Sequence, residues 1–247
     1  IAASKGKTSG LKEMGKCYLE GIYVDKDPEK AFQLFYKGAK LNNTKCVYWT
    51  GRCYLEGLGV PKDEKKGYQL LHRAADNGLS SAMYKCGMCL YDGIGTPSNL
   101  FEAVRFFRSA SKAGNLSGTY RLARCLLEGK GAPANPSEAI RLLRYAADLG
   151  NVSSMHKLGQ CLLDGIGTPV NQVEGVHYLK MAVEQNYITA FFLYGLCLYK
   201  GQGVQQNFNE AARIFRISAE NGNVSSLYYI GLCALKGQGM ESDPELA

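Results

Sequence analysis

Apolar residues recur along this chain with the spacing of an amphipathic helix. In the segment 153–165 they stand at i, i+3, i+6 and i+7, as Met155, Leu158, Cys161 and Leu162. This spacing places the four side chains on one stripe of a helix. Asn151 or Ser153 can accept a hydrogen bond from the free amides at the helix start, and Gly165 can adopt the left-handed conformation that ends a helix. The pattern therefore predicts an amphipathic helix that stops at Gly165.

This helical pattern returns every 36 residues along the whole chain, without an insertion. A column of glycines, with one alanine, contains Gly15, Gly51, Gly87, Ala123, Gly159, Gly195 and Gly231. Two residues further on, every row has a cysteine: Cys17, Cys53, Cys89, Cys125, Cys161, Cys197 and Cys233. Six residues after the first column, every row has a glycine: Gly21, Gly57, Gly93, Gly129, Gly165, Gly201 and Gly237. Eight residues after it, glycine recurs at Gly59, Gly95, Gly131, Gly167, Gly203 and Gly239, and only Tyr23 departs. Features that recur in register mark a structural module, so we predict structural roles for these columns.

A second helix follows each of these helices, most clearly in the segment 136–151. Its small residues form a column of Ala31, Gly67, Ala103, Ala139, Gly175 and Ala211. Small residues where two helices cross let their axes approach closely. Neither helix can bury its apolar stripe alone, so we expect stability to come from stacking between neighbouring helix pairs.

The pattern LGxCYLEGxGVxxDxxKAxxLxxxAAxxG, seen best across 50–78, resembles the Sel-1-like repeats, which are relatives of the tetratricopeptide repeats. The resemblance covers essentially the whole chain. It implies an all-α, right-handed superhelical solenoid of antiparallel helix pairs, with six full repeats and partial ones at both ends, and residues 1–247 as one solenoid. Tyr23, Asn42 and Ala123 replace repeat glycines, and we expect these departures to affect local turn geometry only.

The two ends of the chain interrupt the repeat. Ala2, Ala3 and Gly6 stand in the register of the end of a second helix, and the chain closes with the sequence of another helix start. Neither end has the polar capping helix that solenoids need for solubility. We therefore expect this sequence to be a segment of a larger protein.

Composition and charge restrict the class of protein and of partner. Apolar residues make up 46% and charged residues 21% of the chain, which is typical of a folded protein. No apolar run approaches the roughly 18 residues that cross a membrane, so we expect no membrane partner. Residues 1–123 carry 19 Lys and Arg against 11 Asp and Glu, whereas residues 124–247 carry 10 against 11. The basic half favours an acidic partner there; a nucleic-acid partner is less favoured because a strand would need a basic groove along its whole length.

The cysteines and the paired glycines do not form a chemical site in this pattern. Equivalent residues of adjacent rows should lie roughly 8–10 Å apart, too far for a disulfide within the cysteine column and too spread out for one zinc ion. We expect reduced, buried thiols and a reducing compartment. A phosphate-binding glycine loop follows a strand, whereas these glycines follow a helix. We therefore expect no metal, no cofactor and no small-molecule substrate.

Catalytic residues are not grouped in the sequence either. His72, His156 and His177 fall in three different columns of the repeat. Five first helices end in a carboxylate, at Glu20, Glu56, Asp92, Glu128 and Asp164. Helix capping and i,i+4 pairs such as Arg52–Glu56 explain these carboxylates better than acid–base catalysis. Some bacterial members of the family are linked to β-lactam hydrolysis, but no Ser, Lys or Glu group breaks the repeat here, so we predict that the chain is not an enzyme.

A partner-binding surface is implied by the analogy with tetratricopeptide repeats, in which the first helices line the concave face. Three residues before the glycine column, this analogy places Lys12, Tyr48, Tyr84, Tyr120, His156, Phe192 and Tyr228 in the groove. One residue after it, the analogy places Lys16, Arg52, Met88, Arg124, Gln160, Leu196 and Leu232 there. Tyr and Arg are enriched where protein partners bind tightly. The alternative is that about half of the aromatic column packs between adjacent first helices.

The sequence thus predicts a non-catalytic scaffold or adaptor that binds a peptide or a protein segment along the concave groove. The alternative is an RNA or single-strand binder that uses the basic, tyrosine-rich N-terminal half. We expect a cytoplasmic protein. Asn-x-Ser/Thr sites at Asn42, Asn115, Asn151 and Asn223 leave the lumen of the endoplasmic reticulum as an alternative, because the family includes adaptors of protein degradation there.

Overall fold

The structure is a computed structural model that describes residues 2–239, with side chains from residue 9 onward. The described part of the chain contains thirteen α-helices and no strand. The helices are α1 (Ala2–Glu20), α2 (Pro28–Lys40), α3 (Thr44–Glu56), α4 (Glu64–Asp76), α5 (Ser80–Asp92), α6 (Leu100–Lys112), α7 (Leu116–Glu128), α8 (Pro136–Asp148), α9 (Val152–Asp164), α10 (Gln172–Glu184), α11 (Ile188–Lys200), α12 (Phe208–Glu220) and α13 (Val224–Lys236). Odd-numbered helices are the predicted first helices and even-numbered helices the second ones, which confirms the all-α repeat.

The helix boundaries follow from capping residues that recur in the sequence. The Oδ1 atom of Asn151 accepts a hydrogen bond from the Ser154 amide at 2.9 Å, and this bond fixes the start of α9. Gly165 ends α9 in the left-handed conformation, with φ of 72°, and its amide donates to the carbonyl of Cys161. The helix of segment 136–151 ends at Asp148 because Gly150 turns the chain with a positive φ. Asn151 is thus confirmed as the cap and Gly165 as the terminator.

The prediction that the chain begins with the end of a second helix is wrong. The helix α1 runs without interruption from Ala2 to Glu20, through the position where other rows turn. Lys7 stands where four rows have an N-capping asparagine, so this stretch lacks the cap that starts a new helix elsewhere. The predicted helix start at the other end of the chain lies outside the described residues.

Close helix contact at the two columns of small residues holds each pair together. A Cβ atom on Gly51 would lie 3.1 Å from the carbonyl oxygen of Gly67, and one on Gly67 would lie 2.9 Å from the oxygen of Gly51. The pair of Gly159 and Gly175 repeats this arrangement. Larger side chains would separate the axes, so this close approach supports the structural role that the repeat predicts for these glycines.

The second glycine of each turn packs against the helix pair before it. Gly59 has a φ of 68°, and a Cβ atom there would overlap the carbonyl oxygen of Pro28, at the start of α2. Gly167 contacts Pro136 at the start of α8 in the same way, with its Cβ position 2.6 Å from the oxygen. Tyr23, which replaces this glycine in the first row, keeps a φ of 64° and is 96% exposed. The turn geometry therefore survives the departure from glycine.

The helices divide into two compact units, Ile1–Pro133 and Ala134–Ala247. In the first unit, the core includes Phe35, Leu71 and Phe107, all fully buried. In the second unit, Leu158, Leu179 and Phe215 are fully buried in the same way. Each unit thus buries the apolar stripes of its own helices between them, as the amphipathic pattern requires.

Candidate functional site

The first helices carry the fourteen residues predicted to line the partner surface. Thirteen of them are half-buried, on α1, α3, α5 and α7 in the first unit and on α9, α11 and α13 in the second. Tyr228 on α13 is the exception, with 67% of its surface exposed. Half-burial is compatible with groove residues and with packing between first helices, so the contacts of each residue decide between the two.

An aromatic and cationic cluster lies on α1 and α3 of the first unit. The guanidinium of Arg52 stands 4.6 Å from the ring centre of Trp49, and the Lys16 ammonium stands 5.6 Å from it. The ring of Trp49 stacks on buried Phe35 at 5.4 Å, and Tyr48 meets its edge at 5.8 Å. Sequence reasoning missed Trp49, although it is the only tryptophan of the chain. The structure thus brings Lys16, Tyr48 and Arg52 together around a residue outside the predicted columns.

Three of the four predicted cations of the first unit pair with carboxylates of their own helices. Arg52 donates two hydrogen bonds to Glu56, at 3.0 and 2.9 Å, which confirms the predicted i,i+4 pair. Arg124 pairs with Glu128 at 3.1 Å, and Lys12 pairs with Glu13. Such exposed pairs contribute little to stability, but each one lowers the net charge that the surface presents to a partner.

A cavity of about 260 Å³ opens between α3, the following loop and α5. Its apolar lining comes from Leu55, Tyr84, Met88 and Ile94. Charged groups of both signs stand around this lining: Glu56, Lys62, Glu64, Lys85 and Asp92. Sequence reasoning identified Tyr84 and Met88, but it missed Leu55 and Ile94 because these residues lie outside the two columns considered.

The predicted surface residues of the second unit are partly occupied by internal packing. The ring of His156 lies 5.7 Å from that of Tyr187, and burial holds the pKa of His156 below its usual value. Phe192 packs against Phe215 at 6.2 Å and Tyr229 at 5.9 Å. Gln160 accepts a hydrogen bond from Lys157 at 3.0 Å. The contact of Phe192 with Tyr229 of α13, and that of His156 with Tyr187 directly before α11, support the alternative of packing between adjacent first helices.

The cysteine column lies inside the helix pairs. Six of its seven members are buried, and Cys17 is half-buried. Burial raises the pKa of Cys53 to about 12 and that of Cys89 to about 11, so these thiols stay protonated at neutral pH. Among the residues with described side chains, no three His, Cys, Asp or Glu residues come together as metal ligands would.

Comparison with protein families now adds to the geometry. The sequence pattern of the Sel1 repeat matches seven consecutive segments: 9–43, 44–79, 80–115, 116–151, 152–187, 190–223 and 224–247. The chain belongs to the Sel1 repeat family. Its helices are therefore an all-α solenoid of Sel1 repeats, and the segment borders coincide with the starts of most first helices.

Solved structures share this Sel1 repeat fold. One is a protective antigen present in uropathogenic Escherichia coli strains that displays an SLR fold; it is 26% identical with a TM-score of 0.88. That match covers 99% of this chain and 52% of the antigen, so the chain spans about half the antigen's length. A Sel1 repeat protein from Oxalobacter formigenes is 24% identical with a TM-score of 0.77, over 97% of this chain and 69% of that one. A comparison with curated proteins gave no match.

Membership of the family carries a general function. Sel1 repeat proteins are generally scaffolds for protein–protein interaction and are typically non-catalytic. None of the helices within residues 2–239 is both long enough and apolar enough to cross a bilayer.

Proposed function

We propose that the first-helix surface of residues 9–133 binds an extended segment or a helix of a protein partner, and that an apolar side chain of this segment enters the cavity beside Tyr84. The observation that carries the proposal is the cavity of about 260 Å³ with Leu55, Met88 and Ile94 in its lining. A pocket that takes an apolar anchor, with polar groups around it, is the usual centre of a protein interface.

The charges around this cavity favour a partner of mixed charge rather than a strongly acidic one. Glu56 and Glu128 neutralise Arg52 and Arg124, which the sequence suggested as attractants for an acidic segment. A nucleic-acid strand would need cations that are available to its phosphates. The pairing therefore supports a peptide over RNA on this surface. We retain the cytoplasm as the proposed compartment.

The experiment selects peptides from a random displayed library with the full chain and measures their affinity by fluorescence polarisation. Tyr84→Ala and Met88→Glu each remove part of the apolar lining, so we expect affinity to fall by about tenfold or more, the effect of losing roughly 1.4 kcal/mol. Tyr145→Ala is the matched control, because Tyr145 is a half-exposed tyrosine on a second helix. Selected peptides that bind both variants as tightly as the unchanged chain, with helicity intact, would refute the proposal.

A further inference from the structure

A second cavity, of about 200 Å³, lies in the first unit between α2, α3 and α4. It opens on the side of α3 opposite to Tyr48 and Arg52, because its α3 residues Thr50 and Tyr54 lie about half a helical turn from those two. Leu70 and the rings of two tyrosines form its walls. This cavity is separate from the first-helix surface described above.

Three cations and no carboxylate line this cavity: Lys40, Lys66 and Arg73. Within the described residues, none of the three forms an ion pair. The Lys40 ammonium lies 4.7 Å from the ring centre of Tyr36, and the Lys66 ammonium lies 4.3 Å from that of Tyr54. These aromatic contacts place the two ammonium groups over the walls. Asp63, which caps α4, is the carboxylate that acts on Lys66, and it does not line the cavity.

The third cation is held by a residue that departs from the repeat. Asn42 stands where most rows have glycine, and its φ of 57° is the left-handed conformation that asparagine tolerates better than other side chains. Its Oδ1 atom accepts a hydrogen bond of 2.8 Å from the guanidinium of Arg73. Glycine would make the same turn without this acceptor. Asn42 is therefore a positioning residue for Arg73.

Comparison with the next repeat shows that the fold does not need three cations at these positions. One period later, the residues in the register of Lys40, Lys66 and Arg73 are Asp76, Glu102 and Ser109. Two of these, Glu102 and Ser109, line the corresponding cavity beside α6, where Arg105 pairs with Glu102. The same backbone thus holds a cationic cavity in one place and a mixed one in the next.

In the second unit, the same register positions hold complementary groups that join neighbouring second helices. Glu174, in the register of Lys66, forms an ion pair with Arg144 of α8. Asp148, in the register of Lys40, accepts a hydrogen bond of 2.8 Å from the Tyr178 hydroxyl. Between α2 and α4, three cations line one cavity instead, and like charges in one cavity favour the binding of an anion.

We propose that the cavity of Lys40, Lys66 and Arg73 binds a phosphate monoester on a side chain of a protein partner. A phosphate monoester carries about −1.5 to −2 charges at pH 7 and three acceptor oxygens, which match three cationic donors better than one carboxylate does. The volume far exceeds the about 30 Å³ that one water occupies, so it accommodates the phosphate and the carbon that carries it. The proposal does not rest on the first-helix surface.

The test uses the full chain and two probes, inorganic phosphate and an acetyl-Ala-phosphoserine-Ala-amide peptide, in an amide NMR titration. We expect saturable shifts at Asn42, Lys66 and Arg73, with the phosphopeptide binding more tightly than inorganic phosphate. The triple variant Lys40→Asp, Lys66→Glu, Arg73→Ser carries the residues of the next register. It should bind the phosphopeptide at least about tenfold more weakly, because it removes all three cationic donors and adds two carboxylates.

Two further variants separate this site from general charge and from misfolding. Lys65→Glu changes the charge of an exposed lysine on α4 that does not line the cavity, and it should bind the phosphopeptide with less than about threefold change, as a screened surface charge does. Asn42→Gly keeps the turn and the helicity but should weaken binding by a few-fold, about the net value of one hydrogen bond.

Three results would overturn the proposal. One is equal weakening by Lys65→Glu and by the triple variant, which would mean diffuse attraction by the basic half. Another is inorganic phosphate binding as tightly as the phosphopeptide, which would mean a site for free phosphate compounds. The third is a single-stranded oligonucleotide that binds through the same three cations more tightly than the phosphopeptide does.

Discussion

The cysteine column is the residue-scale feature in which burial has a measurable chemical effect. Each buried thiol fills the space of a small apolar side chain, and its thiolate would lose water without gaining a partner. Burial raises the pKa of Cys89 to about 11 and that of Cys197 to about 11, one in each unit. In the unfolded chain a thiol has a pKa near 8.5, so the two states differ in proton binding above that value.

This difference predicts how the free energy of unfolding depends on pH. Below about pH 8.5 both states hold the proton, and the contribution of the thiols to stability is constant. As pH rises towards 11, the unfolded chain loses the proton first, so stability should fall by up to about 1.4 kcal/mol per pH unit for each buried thiol. Urea unfolding between pH 7.5 and 10.5 measures this slope.

Two variants isolate the thiol contribution to the slope. Cys89→Ala with Cys197→Ala removes two titrating groups, and the fall of stability above pH 8.5 should be shallower than in the unchanged chain. Leu198→Ala also removes buried volume but no titrating group, so it should lower stability equally at every pH. Equal slopes in the double variant and the unchanged chain would contradict the assignment of buried, protonated thiols.

At the scale of the element, the second helices show two ways of starting within one fold. In the first two rows, aspartate caps the helix and the third residue of the helix is a lysine that lies over a first-helix tyrosine, as Lys30 does over Tyr18 at 4.4 Å. In the later rows, asparagine caps the helix and glutamate replaces the lysine, as in Asn207 and Glu210. The residue in the register of Tyr18 is then leucine, as at Leu198. Cap, charge and aromatic partner therefore change together along the chain.

The turn glycines also belong to the element scale, because each one joins a turn to the helix pair before it. Gly59→Ala should destabilise the chain by at least about 2 kcal/mol. An alanine is strained at this positive φ by about 1–2 kcal/mol, and its Cβ atom would also overlap the Pro28 carbonyl. Thermal and urea unfolding at neutral pH measure the loss.

The first row supplies the matched control for this substitution. Tyr23 has the same positive φ, but its side chain is 96% exposed. Tyr23→Ala should therefore change stability by less than about 0.5 kcal/mol, as surface substitutions usually do. A similar small effect of Gly59→Ala would show that the turn does not pack as described.

At the scale of the whole molecule, charge separates the peptide and nucleic-acid hypotheses. The chain carries a formal charge of +7, concentrated in residues 1–123. Arg52 and Arg124 are nevertheless paired with carboxylates of their own helices. We expect the affinity of peptides selected for the cavity beside Tyr84 to change by less than about threefold between 50 and 300 mM salt, because few unpaired charges take part.

A nucleic-acid partner would behave differently in the same measurement. Each phosphate that a cation neutralises releases counterions, so binding through six contacts weakens by about 10³-fold over a similar range of salt. A selected ligand whose affinity falls that steeply would favour the basic half as a strand-binding surface. The affinity of that ligand for the cavity of Lys40, Lys66 and Arg73 would then be compared with the affinity of the phosphopeptide.

The sequence by itself determined the repeat, the helices and most of their boundaries, and the start of α1 is the exception. These features depend on residues within a few positions of each other: apolar spacing sets the stripe, Asn151 caps, and Gly165 reverses the chain. Even Arg52 and Glu56 could be paired from their spacing on one helix. Such local relations hold wherever the helix lies, so one sequence pattern is sufficient to predict them.

Only the tertiary structure decided which residues meet across helices. Lys40, Lys66 and Arg73 come from two second helices, and the anchor of Arg73 is Asn42 in another turn. Leu55 and Ile94 likewise complete a cavity whose other residues stand in predicted columns. Whether such side chains converge depends on the distance between helix axes and on the size of every residue packed between them. That distance results from all the contacts between the helices, so it cannot be predicted from the spacing of residues along the chain.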